Sequence, residues 1–441
     1  MTTADTVLSR FAFRVFGVER REYVAVFWSF IYFFCLLAAY YMLRPVRETM
    51  AIVGGVENIQ WLFTGTFTVM LFATPVFGWI ASRFPRRTFV PWVYYFFISN
   101  ILLFFAAFTV LTDQLDQVWV ARTFFVWLSV FNLFVVSVFW SFMVDIYNTE
   151  QSRRLFGIIS AGGSTGAFLG PLATSIVVVP IGFENLLPIA ALLLGFAVYC
   201  VHRLRRWSLA QAAGDPGHQP AASRPMGGSP LAGVTLVLKT PYLAAIALAL
   251  FFALFLGGVM YVYMAQLVSQ SFTETDQQTR VFALIDTFSN ALSFIGQLLI
   301  VKFAVQRVGI GLTLAVLPLV SIAGFALLAL NPVFIIIAVF QVARRGLAYG
   351  LTKPASDMLY SVVSREAKYK AKNFVETAVW RASDLIAVWS VRLLSGAGMA
   401  ITGVALLCVP IAAVWGLLVF WIGREYRRRD VREEAIAYER A

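Results

Sequence analysis

The sequence has 441 residues, of which 60% are hydrophobic and only 13% charged. That is too little polar surface for a water-soluble globular chain of this size, so a soluble domain is excluded. The net charge of +12 would raise nucleic acid as a partner in a soluble protein. In a chain whose apolar residues fall in blocks of roughly 20, lysine- and arginine-rich cytoplasmic loops explain it better, and no nucleic-acid partner is expected. The sequence predicts an all-α membrane protein of about twelve transmembrane helices in two six-helix halves.

Residues 1–22 form a basic lead-in with Arg10, Arg14, Arg20 and Arg21, and Phe11, Phe13, Val15 and Phe16 suggest an amphipathic stretch on the membrane surface. Span 1 covers about 23–43. It is too long for a signal peptide and lacks a small-residue cleavage site, so it reads as a retained helix. Tyr40 to Thr49 follows (Tyr-Tyr-Met-Leu-Arg-Pro-Val-Arg-Glu-Thr), putting Arg44, Arg47 and Glu48 just where that span ends. Charge there is costly unless it is paired, reaches water, or faces a wet cavity. Spans 2 to 6 cover about 59–81, 89–111, 118–145, 155–179 and 185–201. Composition then shifts to Ala, Gly, Pro and Ser, the mark of a flexible linker. Spans 7 to 12 cover about 242–268, 281–303, 311–330, 333–363, 374–394 and 400–422. The expected organisation is a lead-in (1–22), a first bundle (23–203), a cytoplasmic linker (204–238), a second bundle (239–423) and a basic tail (424–441).

Charge sets the expected orientation. With the N-terminus inside, Arg83/Arg86/Arg87, Arg153/Arg154, Arg203/Arg205/Arg206, Lys302/Arg307, Lys368/Lys370/Lys372 and the tail all fall on the cytoplasmic side. The opposite loops hold Asp113, Asp116, Glu184, Glu274 and Asp276 against Arg44, Arg47 and Arg280. Both termini are therefore expected in the cytoplasm, in a bacterial-style inner membrane. A weak repeat (Phe33–Leu37 against Phe251–Phe255; Gly78 before Arg83 against Gly296 before Lys302) suits a parallel-repeat transporter. Such a carrier binds between its halves near the midplane and alternates access by rocking.

Gly78-Trp-Ile-Ala-Ser-Arg-Phe-Pro-Arg-Arg87 resembles the loop signature between helices 2 and 3 of the major facilitator superfamily. That signature has Gly, then Asp-Arg, then a basic pair, and its charges hold a cytoplasmic gate. Ser82 stands in the aspartate position here, leaving Asp145, at the inner end of span 4, as the carboxylate for Arg83 or Arg86. A plain positive-inside loop is the competing reading. In span 5, Gly162, Gly163, Gly166, Gly170 and Pro171 resemble an antiporter motif of the superfamily, and tight helix packing explains them equally well.

A second resemblance rests on Leu43-Arg-Pro-Val-Arg-Glu-Thr49, on Leu351-Thr-Lys-Pro-Ala-Ser-Asp-Met-Leu-Tyr360 with the alternating lysines 368, 370 and 372, and on Phe139-Trp-Ser-Phe142. These are similar to the ATP:ADP antiporter family of plastids and intracellular bacteria. The resemblance implies a nucleotide or phosphorylated metabolite as substrate. Arg47 stands where that family has a substrate-linked lysine, Pro45 replaces an acidic residue, and the place of its helix-4 glutamate falls near Leu128 or Asn132.

The buried charge carries the chemistry. Span 10 holds Arg344, Arg345 and Lys353 against Asp357; span 11 holds Arg381, Asp384 and Arg392; span 8 holds Asp286. Arg381 and Asp384 are one turn apart and can pair. Arg344 and Arg345 point about 100° apart around a helix, so at least one must face a cavity or a carboxylate. The sum is cationic, and arginine grips carboxylate and phosphate through paired hydrogen bonds. The expected substrate-contacting set is Arg44, Arg47, Arg344, Arg345, Lys353, Arg381, Tyr41 and Asn132. The expected coupling or gating set is Asp145, Arg83, Arg86, Asp286, Asp357 and Asp384. The competing reading makes these charges internal ion pairs.

No Walker-type phosphate loop, metal cluster or nucleophile with a nearby base is present, so neither a cofactor nor catalysis is expected. Cys35, Cys200 and Cys408 lie in apolar runs without metal or disulfide spacing. The reading is a secondary carrier for a small organic anion, with exchange suited to fixed cations, the bilayer as its other partner and a monomer sufficient. The alternatives are a carrier for an amphiphile (peptide, siderophore or lipid), or a non-transporting scaffold in which Arg344, Arg345 and Arg381 are all paired.

Overall fold

The computed structural model describes residues 18–83, 86–111, 113–214 and 232–439, which are helical apart from short turns. The long helices are α1 (Tyr23–Val53), α2 (Ile59–Arg83), α3 (Arg86–Val110), α4 (Gln114–Ile146), α5 (Thr149–Ile181), α6 (Leu186–Gly214), α7 (Pro241–Ser271), α8 (Thr275–Arg307), α9 (Ile310–Leu330), α10 (Phe334–Met358), α11 (365–396) and α12 (Ile401–Glu439). Among the described residues, eleven helices are long and apolar enough to cross a membrane. α11 has the length but not the hydropathy, because Glu376, Arg381, Asp384 and Arg392 interrupt it. The twelve-helix layout of the sequence is the architecture observed.

Several boundaries differ for identifiable reasons. α1 does not stop at Leu43. It continues ten residues further, through Pro45, so Arg44, Arg47 and Glu48 sit in helix rather than in a loop after it. Proline inside a helix removes one N–H donor and crowds the carbonyl four residues back. The helix beyond it is anchored by Thr49, whose hydroxyl donates to the Pro45 carbonyl (3.2 Å) and pairs with the Thr279 hydroxyl (2.9 Å). Gly55, at φ +96°, then turns the chain. The expected linker is partly helical as well. α6 runs on to Gly214, with Leu204 fully buried and the Trp207 indole against the Arg21 carbonyl (3.4 Å), and a short helix spans Ala232–Lys239. Most of the lead-in lies outside the described residues.

The chain forms two compact units. Among the described residues the first comprises 18–54, 68–214 and 274–284, and the second 55–67, 232–273 and 285–439. This departs from a division at the linker alone. The first turns of α2 pack in the second unit, where Trp61 meets Trp389 edge-on (5.1 Å), Phe63 meets Tyr261 and Thr64 accepts from the Trp389 indole (3.1 Å). The first turns of α8 pack in the first unit, where Thr279 pairs with Thr49 and the Asp276 carboxylate accepts the Phe183 N–H (2.8 Å).

The glycines of α5 explain themselves by contact. A β-carbon at Gly162, Gly166 or Gly170 would run into α1 backbone at Phe30, Phe34 and Ala38. Thr174 extends the same row by donating to the Met42 carbonyl (3.2 Å). Rows four residues apart on both helices interlock, the small-residue packing used where lipid supplies no hydrophobic drive. At one end of this pair, fully buried Glu22 accepts from Gln151 (2.9 Å) and Arg154 (3.0 Å). Asn148 and Gln151 box the start of α5. Other arginines lie over rings: Arg83 on Trp79 (5.3 Å), Arg203 on Trp28 (5.5 Å), Arg307 on Phe303 (5.4 Å) and Arg424 on Phe420 (4.8 Å). This is the amphipathic belt of a membrane–water boundary.

Arg154→Ala strands the Glu22 charge and is expected to cost about 3 kcal/mol, the low end for a buried pair because Arg154 is partly exposed. Arg153→Ala, at an exposed neighbour, is expected to stay within about 0.5 kcal/mol. Thermal unfolding in detergent checks both.

Candidate functional site

The charges expected to matter fall into separate groups, each within one unit. In the first unit, α1 presents half-buried Arg44 and Arg47 on successive turns. The Arg44 guanidinium lies 5.7 Å from the Tyr41 ring centre, and its Nε is 3.9 Å from Glu48 Oε1. The Arg47 guanidinium lies 4.3 Å over Phe125 of α4. Aromatic faces hold cations without cancelling their charge, and Glu48 is the carboxylate beside Arg44. Tyr41 meets Tyr40 edge-on (5.1 Å). On α4, Leu128 is fully buried in the core, whereas Asn132 is half-buried. Of the two positions matched to a helix-4 carboxylate, Asn132 is thus the more accessible.

Of the two arginines expected to meet Asp145, Arg83 is the one whose side chain is described. Arg83 is exposed over Trp79 and, among the described residues, has no carboxylate at ion-pair distance, so Asp145 does not neutralise it. Half-buried Asp145 is engaged with other neighbours. The Arg86 side chain lies outside the described residues.

In the second unit the two adjacent arginines of α10 part company. Arg345 forms an ion pair with Asp286 of α8, which is 2% exposed. Arg344 is 8% exposed and donates from a terminal nitrogen to the Ala253 carbonyl of α7. Its guanidinium occupies the space left by Gly257, where a β-carbon would collide with it. Its Nε has no hydrogen-bond partner, and no carboxylate stands at ion-pair distance among the described residues. Arg344 is therefore a buried cation without an ion pair, hydrogen-bonded to the Ala253 carbonyl, with the Asp384 carboxylate acting on it from beyond ion-pair distance. Half-buried Arg381 and Asp384 on α11 are both engaged with neighbours.

Directly after Arg345, α10 widens into a π-turn at Ala348–Thr352. Pro354 explains it, since its ring and missing N–H disrupt the regular ladder around Gly350. Side chains of α8 cover the loosened turns: Ser293 donates to the Gly346 carbonyl (3.3 Å) and Gln297 to that of Tyr349 (3.1 Å). α8 and α11 carry π-turns too, at Gly296–Ile300 and Val375–Val379. All three helices bearing the second unit's buried charge are thus interrupted.

Below the α10 π-turn lies a four-membered ionic cluster. Lys353 bridges Asp357 (3.1 Å) and Glu376, and Lys372 bridges Asp357 (2.8 Å) and Glu376 (3.9 Å). Two cations meet two carboxylates, so Lys353 is neutralised rather than left as a free anion contact. Glu376 escaped the sequence reading. Its signal was the i,i+4 step from Lys372, matching that from Lys353 to Asp357. A cavity of about 90 Å³ adjoins the cluster, room for about three waters. Tyr360, in the turn after α10, faces Lys372 at 6.0 Å, and burial pushes its phenol up, so it stays protonated.

Long apolar helices, with charge in their middles and helix breaks beside it, define a polytopic membrane carrier. The model of the Major Facilitator Superfamily matches residues 23–373, and the chain belongs to that superfamily. ADP,ATP carrier protein 2 of Chlamydia pneumoniae is 26% identical over 155 residues, and the match spans 28% of each chain. A variant of the nucleoside transporter NupG shares the fold at TM-score 0.62 with 12% identity, covering 90% of this chain and 99% of that one. The POT family transporter PepTSo (TM-score 0.62, 11% identity, 91% and 98% covered) and a bacterial homologue of the iron transporter ferroportin (TM-score 0.62, 12%, 92% and 98%) do so as well. The protein is a membrane transporter of the major facilitator type.

Asp286→Ala is expected to cost about 3–5 kcal/mol by leaving Arg345 buried without its counter-charge. Adding Arg345→Met to it is expected to restore most of that loss. A double-mutant cycle on thermal unfolding in detergent measures both.

Proposed function

We propose that this transporter moves a small organic anion, in the first instance a nucleotide or another phosphorylated metabolite, by alternating access and as an exchanger. The observation that carries the reading is Arg344, a mid-helix arginine buried without an ion pair. Keeping such a charge near the middle of a membrane protein is expensive, and its ordinary justification is a ligand or pathway. The scaffold alternative required Arg344, Arg345 and Arg381 all to be paired, and Arg344 departs from it. Asp286 is ion-paired with Arg345, and Asp384 acts on Arg344 only from beyond ion-pair distance. Arg44 and Arg47 place two further cations in the first unit, with Glu48 beside Arg44. Support for a phosphate-bearing substrate comes from the partial match to the ADP,ATP carrier and from the preference of arginine for phosphate.

Both termini are assigned to the cytoplasm of an inner membrane, because every basic loop then falls on one side. Asp357, Asp384 and Asp286 are the carboxylates available for coupling or gating, with Glu376 added by its place in the Lys353–Lys372 cluster.

The test is exchange of labelled ADP for internal ATP in proteoliposomes. Arg344→Ala is expected to raise KM or lower the rate roughly 10- to 100-fold, the loss of one or two hydrogen bonds to a charged group. Arg47→Ala is expected to act in the same direction, while Arg83→Ala keeps substrate affinity. Wild-type liposomes that exchange no phosphorylated anion would refute the proposal.

A further inference from the structure

The second unit also contains a cavity of about 630 Å³ at the far end of α7 from the ionic cluster. It is walled by the start of α2, the ends of α7 and α11, and the start of α12. Along α7, Gln266 lies nine residues beyond Gly257, roughly 14 Å at the helical rise, so this wall is distinct from the Arg344 contact. The volume is that of a small-molecule site.

Its lining is polar in a particular way. Three amides line it, from Gln60, Gln266 and Gln270. Gln60 is only 5% exposed and is among the residues that line the cavity. Arg392 and Glu57 also line the space. Among the described residues Arg392 has no ion-pair partner, and Glu57 accepts from the Asn58 side chain alone (2.9 Å). One guanidinium and one carboxylate cancel, unlike the surplus cation at Arg344. A wall that offers one charge of each sign, with amides that both donate and accept, matches a solute carrying an ammonium, a carboxylate and an amide.

We propose that this cavity is a second binding site for a net-neutral, zwitterionic small molecule of the amino-acid or short-peptide kind. Arg392 takes the carboxylate, Glu57 the ammonium, and Gln60 the amide of the solute. The chemistry differs from the anionic substrate above, and the two sites stand or fall separately.

The test is calorimetric binding of L-alanyl-L-alanine to the full-length protein in detergent. Lactate (no ammonium), ethanolamine (no carboxylate) and glycerophosphoethanolamine are compared with it. The dipeptide is expected to bind and the two singly charged probes to bind at least about tenfold more weakly. Arg392→Ala, an exposed position with little influence on folding, and Gln60→Leu are each expected to weaken the dipeptide by at least about tenfold. Arg344→Ala is expected to leave it unchanged. No dipeptide binding, or binding indifferent to Arg392→Ala, would overturn the site. Tighter binding of glycerophosphoethanolamine than of the dipeptide would overturn the free-solute assignment in favour of a lipid headgroup. Loss of dipeptide binding in Arg344→Ala would merge it with the anion site and overturn the proposal.

Discussion

Of two adjacent arginines in the middle of α10, Arg345 is ion-paired and Arg344 is not, and that asymmetry governs the chemistry of the second unit. Asp286 reaches Arg345 from α8. Arg344, turned about 100° away on the helix, has the Ala253 carbonyl and the hollow at Gly257. A carbonyl dipole and the more distant Asp384 carboxylate offset less charge than a direct ion pair does, so Arg344 is the less neutralised of the two.

The helices around this charge are built to be uneven. α8, α10 and α11 each contain a π-turn, and in α10 it falls between the arginines and Lys353. Glycines on α8 and α10 bring the two backbones together there, with Gly296 against Gly350. A π-turn leaves carbonyls free to be recruited by side chains such as Ser293 and Gln297. The first unit shows the opposite design. α1 and α5 interlock along a continuous row of small residues, closed at one end by Glu22, Gln151 and Arg154.

Much of this was legible in the sequence, because a bilayer demands runs of about 20 apolar residues and few other patterns satisfy it. The span positions, the α5 glycines and the charged residues of spans 8, 10 and 11 all follow from that rule. The end of α1 was hidden because Arg44, Pro45, Arg47 and Glu48 look like a loop by hydropathy. Only the Thr49–Thr279 bond and the rings under the arginines show that helix is preferred there. Which arginine Asp286 neutralises was equally hidden, since the pair joins residues 59 positions apart on different helices. Gln60 gave no signal at all. A glutamine at the start of an apolar helix is ordinary, and only the cavity it lines makes it informative.

The most direct measurement of the unneutralised charge is the melting temperature of the purified protein in detergent against ATP, ADP, sugar phosphates and simple carboxylates. A ligand that binds only the folded state raises that temperature by mass action. The expected result is a concentration-dependent rise with a phosphorylated anion that disappears in Arg344→Ala and persists when Asp286 and Arg345 are replaced together. No rise with any anion, or a rise that survives Arg344→Ala unchanged, would contradict the assignment of Arg344 as the cation that meets the substrate.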